Sequence, residues 1–325
     1  MKIDNHPDVS IYVMTYFHEK YIEQALGSIL CQITSYTYEI IISDDCSQDR
    51  TPEILLRYAN DHPEVIRVIL NESNLGISKN KYQVLSQCRG RYITGLSGDD
   101  YWIDNHSLQK RVDFLESHPE YFAVTGAIEL RYDDEDYGVA RYPSRKFISK
   151  DITLDDFLGK KGVPLYTHSL LARNALLSKT GRDMYSLIPK VSASIDDTTE
   201  CILVLTLGNV YTMDICPVVH RIHRDKKGHN NFTSTNTALS TYSKMVALYN
   251  NIPVYFHQEL DLFWLYRSST SSALLYALSK RKLNEFRRIY ASVPNSYRRR
   301  GLICSALPMM CKIGLAYLHR KRQKK

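Results

Sequence analysis

Cysteine is too sparse and too irregular here to staple a fold. The seven cysteines, at 31, 46, 88, 201, 216, 304 and 311, are odd in number, scattered, and never form a C-x-x-C pair. That excludes a disulfide framework and a clustered-cysteine zinc site. An export signal is also missing. Met1 to Pro7 is short and polar, and Val9 already opens a strand-like run. The expected location is therefore cytoplasmic. No clean membrane span is present near the C-terminus, because the apolar stretch from Gly301 to Leu318 is broken by Pro308 and Lys312. Internal repeats, low-complexity segments and nucleic-acid-binding motifs are absent too, so nucleic acid is not an expected partner.

What is present suits a folded chain. The 325 residues are 44% hydrophobic and 24% charged, enough for one large or two moderate domains. The net charge of +7 hides a strong asymmetry. From Arg281 onward there are 13 Lys and Arg against one acid, Glu285, whereas the preceding 280 residues carry 29 basic and 34 acidic side chains. A mildly acidic body thus carries a strongly basic tail. Basic clusters at both ends of the 301–318 stretch fit an interfacial segment on an anionic membrane surface, peripheral on its inner face; a helix packed on the body with a frayed basic end fits as well.

Strand and helix patterns alternate through the first 127 residues. Strands are expected at Ser10 to Thr15, Glu39 to Ser43, Val65 to Leu70, Tyr92 to Leu96 and Tyr121 to Ala127. Between them lie helical patterns at Glu19 to Cys31, Thr51 to about Asn60, Ser78 to Cys88 and Leu108 to His118, with Thr51 as N-cap and Pro52 in the first turn. Continuously apolar strands predict an α/β fold with a mainly parallel central sheet and helices on both faces. Ligands of such sheets gather outside the C-terminal strand ends. Three polar features fall there: Thr15-Tyr16, Asp44-Asp45 and Asp99-Asp100. Two adjacent carboxylates at a strand end repel unless a cation or a set of donors faces them, so Asp99-Asp100, which alone would read as a solvated turn, points together with the other two strand ends to a divalent-metal site. The acidic run Asp133 to Asp136 reads as a solvated loop, and His168 as structural.

Five fragments in order resemble a family 2, GT-A-type inverting glycosyltransferase of the kind found in bacterial surface-polysaccharide biosynthesis. They are Val9 to Glu19, with Phe17 where Asn is usual; Ser28 to Gln32; Glu39 to Asp49, with its Asp-Asp-x-Ser-x-Asp turn; Asn74 to Asn80; and Gly90 to Asp100. The resemblance covers about residues 9–225 and is strongest over the first 125. It implies a GT-A domain over 1–236, divided into a nucleotide-sugar half (1–125), an acceptor half (126–223) and a mobile loop (224–236). A helical C-terminal region follows over 237–325, with helical patterns at about 237–250, 255–279 and 281–292.

The resemblance also implies roles. Thr15 and Tyr16 would line the base pocket, Asp44 or, by preference, Asp45 would accept the base N–H, and Lys79 would reach the diphosphate or else stand as a surface lysine of its helix. Ser97 replaces the first Asp of the commoner Asp-x-Asp-Asp motif. Asp99 would face the ribose or sugar and Asp100 would bind Mn²⁺ or Mg²⁺, with the direct ligand open between them. In Val219 to His223, Arg221 would pair with phosphate and His223 would contact the diphosphate or metal when the loop with Lys226, Lys227 and Gly228 closes. Asp197 would be the general base, with Asp196 as the second candidate; either also reads as a helix cap. The implied reaction moves a hexose from a nucleotide-diphosphate donor, UDP-linked by preference, to a saccharide or lipid-linked saccharide. The alternative is a non-catalytic relative that binds nucleotide or polysaccharide as a membrane scaffold.

Overall fold

A computed structural model of the chain describes residues 6–132, 140–159, 163–177, 183–223, 238–257 and 260–299. The acidic run 133–136, the loop 224–236 and the tail from 300 lie outside the described residues. The chain divides into two compact units, residues 1–157 with 163–231, and residues 158–162 with 232–325.

The first unit is built on strands β1 (Val9–Thr15), β2 (Tyr38–Asp44), β3 (Ile66–Leu70) and β4 (Tyr92–Ser97). Helices α1 (Ile22–Leu30), α2 (Thr51–Asp61) and α3 (Ile77–Leu85) connect them. Further on come β5 (Tyr101–Trp102), α4 (Ser107–Ser117), β6 (Tyr121–Thr125), β7 (Ile128–Tyr132), β8 (Ala140–Tyr142), β9 (Lys150–Ile152), α5 (Leu154–Leu158), β10 (Leu171–Arg173), α6 (Leu187–Val191), α7 (Asp197–Leu207), β11 (Asn209–Thr212) and β12 (Val218–Ile222). The large sheet has the order β3-β2-β1-β4-β10-β6-β11-β9. Its first four strands are parallel, while β10 runs against both β4 and β6, and β9 against β11. The sheet is thus parallel where the nucleotide half was expected and mixed beyond it.

Both faces are covered. Val9, Ile11 and Val13 of β1 share one core with Ile22, Ala25, Leu26 and Ile29 of α1. Tyr12, on the opposite face, meets Lys81 of α3 and Glu200 of α7. Period-2 alternation of the strand sends these neighbours to opposite sides. The strand order reverses between β1 and β4, and a crevice opens at such a switch point. The strand ends there are tied together: the Gly98 amide donates to the Met14 carbonyl (2.8 Å) and the Asp45 amide to the Thr15 carbonyl (3.0 Å).

A second sheet, β5-β12-β7-β8, starts directly after the acidic pair. Strand β12 pairs antiparallel with β5, Val219 opposite Tyr101. That register carries the next residues, His220 and Arg221, to the Asp100 carboxylate. Fully buried Arg111 of α4 pins the turn at 167–169: its Nη1 donates to Thr94 Oγ1 (3.1 Å) and to the Ser169 carbonyl (3.4 Å), and the guanidinium lies over the Trp102 ring.

Two local expectations change. Thr51 does not cap α2; its hydroxyl accepts from the His18 amide (2.9 Å), while Asp49 Oδ1 accepts from the Thr51 amide. In the second unit, a helix expected to stop at 250 continues as α8 (Ala238–Phe256) through Pro253. A proline that late breaks little of the ladder, and buried Tyr249, Ile252 and Phe256 continue the apolar stripe. Helices α9 (Phe263–Ser279), α10 (Leu283–Ser292) and α11 (Asn295–Arg299) follow, with Tyr242, Ala273, Leu274, Ala277 and Ile289 forming this unit's core. Among the described residues no helix is long and apolar enough to cross a membrane.

Candidate active site

Asp99 and Asp100 stand side by side but face different partners. Asp100 is fully buried. Its oxygens lie 3.1 and 3.2 Å from His220 Nδ1, Oδ1 accepts from the Arg221 amide (2.9 Å), and His168 Nε2 is 3.6 Å from Oδ2. Asp99 accepts from the Ser97 hydroxyl and pairs with His223 Nε2 (2.9 Å), with His18 Nε2 at 3.7 Å. Burial works to raise the Asp99 pKa, but His18, His223 and Ser97 outweigh it and hold the carboxyl far below the usual range. Burial likewise works against charge on His220, yet the Asp100 carboxylate brings its pKa up to about 9.

Asp100, His168 and His220 offer ligand atoms within 4.8 Å of one another. One buried carboxylate and two imidazoles form a donor set that fits a divalent ion accepting both oxygen and nitrogen. His223 goes to Asp99, apart from this trio. His168, expected to be structural, is part of it.

At the nucleotide end, the Asp44 carboxylate shapes its own turn, accepting from the Ser47 amide (2.8 Å) and hydroxyl (2.5 Å). Asp45 reaches across to the loop before α3, accepting from the amides of Leu75 (2.7 Å) and Gly76 (3.0 Å). Thr15 is buried, and its hydroxyl has no hydrogen-bond partner among the described residues. Tyr16 is half-buried, edge-on to Phe17. Arg221 lies between the Tyr21 and Tyr101 rings, 4.9 and 4.6 Å from their centroids, and its guanidinium donates to the Asp99 carbonyl and to Gln24.

Lys79, expected at the diphosphate, is exposed on α3. On the same helix Lys81, two residues on, is buried and shares the stripe of Ser78, Val84 and Leu85. Its ammonium lies 2.8 Å from Asp196 Oδ2, 2.5 Å from Glu200 Oε2 and 3.6 Å from Asp197 Oδ1. Asp196 precedes α7 without capping it, because its buried carboxylate turns to Lys81. Asp197 behaves differently: its side chain is 58% exposed, and Oδ1 accepts from the Thr167 hydroxyl (3.0 Å). Partial desolvation works to raise the Asp197 pKa; Lys81, His168 and Thr167 outweigh it and hold the carboxyl below its ordinary value. Since Thr167 and His168 are consecutive, the Asp197 and Asp100 centres share one wall.

Histidines 18, 168 and 220 and Lys81 were not singled out as site residues from the sequence. Lys81 left one usable signal, a lysine on the buried stripe of a helix. His220 and His168 reach Asp100 through strand register and a pinned turn, which leave no local pattern.

A parallel half-sheet with carboxylates at its switch point, followed by a small second sheet that closes over them, defines a GT-A-like fold. Residues 10–179, just over half of the chain, match the model of Glycosyl transferase family 2. The chain belongs to that family. It is 40% identical over 126 residues to an uncharacterized protein of Mycobacterium tuberculosis, covering 39% of this chain and 36% of that one. It is 33% identical over 154 residues to the putative teichuronic acid biosynthesis glycosyltransferase TuaG of Bacillus subtilis, covering 47% and 57% respectively. The match therefore spans about a third to somewhat over half of these relatives' own lengths. Among solved structures, Staphylococcus aureus TarS in complex with UDP-GlcNAc superposes with a TM-score of 0.56 at 18% identity, over 90% of this chain and 92% of that one. The mannosyltransferase PcManGT of Pyrobaculum calidifontis, in complex with GDP-Man and Mn²⁺, superposes with a TM-score of 0.53 at 15% identity, over 95% and 88%. At such identities these likenesses concern the fold.

Proposed function

We propose that this chain is a metal-dependent inverting glycosyltransferase. It moves a hexose from a nucleotide-diphosphate sugar, UDP-linked by preference, to a hydroxyl of a saccharide or lipid-linked saccharide. The observation that carries this reading is the shared wall. A buried Asp100 with two imidazoles, suited to a divalent ion beside a diphosphate, adjoins an exposed, ionised Asp197 through the consecutive residues Thr167 and His168. The relatives TuaG and TarS, named for polymer glycosylation, support the substrate class.

A divalent ion held by Asp100, His168 and His220 would supply positive charge to the diphosphate as it leaves. The mixed oxygen and nitrogen donors favour Mn²⁺ over Mg²⁺, which prefers oxygen alone. Asp197 accepts the proton of the acceptor hydroxyl as that oxygen bonds to C1. The bond from C1 to the diphosphate oxygen breaks on the opposite side, its electron pair leaving with the nucleoside diphosphate, and C1 inverts. Asp99, Thr15 and Asp45 orient the nucleotide and sugar, and Arg221 braces the acidic pair from its seat between two tyrosines. The basic C-terminal run supports docking on an anionic membrane surface, where a lipid-linked acceptor would reside.

The test is a screen for transfer and donor hydrolysis across UDP-, GDP- and dTDP-hexoses, with Mn²⁺ and with a chelator. Turnover should require the metal, and Asp100→Ala should abolish it while the chain stays folded. Wild-type turnover in that variant, or full activity in chelator, would overturn the metal assignment. Asp197→Asn should lower kcat by about 10²–10⁴-fold, the usual worth of a general base.

A further inference from the structure

Three carboxylates crowd the start of α7: Asp196, Asp197 and Glu200. Left alone they would repel one another, and any of them is chemically able to take a proton. One ammonium sorts them. Lys81 is 1% exposed and contacts Asp196 Oδ2 and Glu200 Oε2, while the Tyr12 hydroxyl donates to the other Glu200 oxygen (3.3 Å). Asp196 and Glu200 are both buried by these contacts. Asp197 alone stays open to solvent, and its described contacts, to Thr167 and Lys81, both fall on Oδ1. Oδ2 is left as the oxygen that meets an acceptor hydroxyl.

The same placement argues against a direct role for Lys81 at the diphosphate. An ammonium has three N–H donors. Here three carboxylates surround it, and almost none of it reaches solvent. A phosphate would have to displace Asp196 or Glu200, both buried, or the proton acceptor Asp197 itself.

Resting on the transfer reaction proposed above, we infer that Lys81 is its positioning residue: it locks Asp196 and Glu200 inward and thereby selects and aims Asp197 as the proton acceptor. The lysine acts through Asp197 and does not touch the substrates.

The experiment compares Lys81→Met and Lys81→Arg with wild type, measuring transfer kcat, donor KM and UDP affinity, with melting curves for each. Lys81→Met should leave UDP affinity and donor KM within about twofold and lower kcat by about a hundredfold, the signature of an interaction lost in the transition state. Lys81→Arg should recover at least about a third of wild-type kcat. Losing the ammonium beside two buried carboxylates threatens folding, so a neutral cage, Lys81→Met with Asp196→Asn and Glu200→Gln, is measured alongside. It should fold and show the same kcat deficit. Wild-type kcat in either Met-containing variant, a loss seen in UDP affinity instead, or a folded Lys81→Arg with no recovery would each overturn the inference. A wild-type chain that neither transfers nor hydrolyses any donor would remove the reaction itself, a result distinct from these.

Discussion

Two residues beside the nucleotide end hold backbone conformations that side chains resist. Phe17 has φ +57° and Cys46 has φ +68°. The left-handed region costs an L-residue roughly 1–2 kcal/mol, less for asparagine or glycine. Both conformations come from the ties around them: the Phe17 amide donates to Ser47 Oγ (2.8 Å), and Ser47 in turn is held by Asp44. Cys46→Gly should therefore raise stability by up to about 1 kcal/mol, after the flexibility of glycine in the unfolded chain is set against the relieved strain. Chemical denaturation would show it as a higher midpoint at an unchanged slope. The departure from asparagine at Phe17 was visible in the sequence, but its conformational reason was not. For the acidic pairs, residue type marked Asp99-Asp100 and Asp196-Asp197 as candidates. Which member of the second pair faces solvent depends on Lys81, 115 positions away.

Strands β1 and β4 pack so closely that one side chain had to be omitted. Gly95 lies opposite Tyr12 in register, and a Cβ there would run into the tyrosine ring. Gly95→Ala should cost about 1–3 kcal/mol as an overpacked core change, read from thermal unfolding. Because the Tyr12 hydroxyl reaches Glu200, kcat should fall as well. At the opposite end of these strands, Glu39 of β2 accepts from Ser10 Oγ (2.6 Å) and pairs with Arg67 and Arg89 (2.9 Å each). Burial works to raise its pKa, but Ser10, Arg89 and Arg67 outweigh it and lower the pKa from the ordinary 4.5. A depressed carboxyl pKa adds stability that is fully present above that ordinary value and is lost as pH falls through the folded one. Glu39→Gln should remove that part of the acid dependence. At neutral pH it should cost about 1–2 kcal/mol, less than a fully buried pair because both arginines are half-exposed. Unfolding measured between pH 3 and 7 would check both. The parallel strands and their helices were legible because apolar runs and 3.6-residue stripes are local patterns. Short β5, β8, β9 and β10 were not, since two or three residues carry no period.

The 325-residue chain joins an acidic, site-bearing body to a basic end. Docking of that end on anionic lipid predicts that the full chain sediments with vesicles containing phosphatidylglycerol and that added salt releases it. A chain ending at Arg299 should lose most of this binding while keeping its melting temperature. Equal binding by both forms would assign the contact elsewhere.

Reading along the chain was enough for the α/β class, the order of the polar strand ends and the family likeness, because each rests on residues close together in sequence. The histidines around Asp100, the buried ion pairs of Lys81 and the different exposure of Asp196 and Asp197 emerged only when β12 paired with β5, the 167–169 turn was pinned by Arg111, and α3 met α7. Those contacts join segments tens to more than a hundred residues apart. Burial and register set their partners, and neither is written in any one segment.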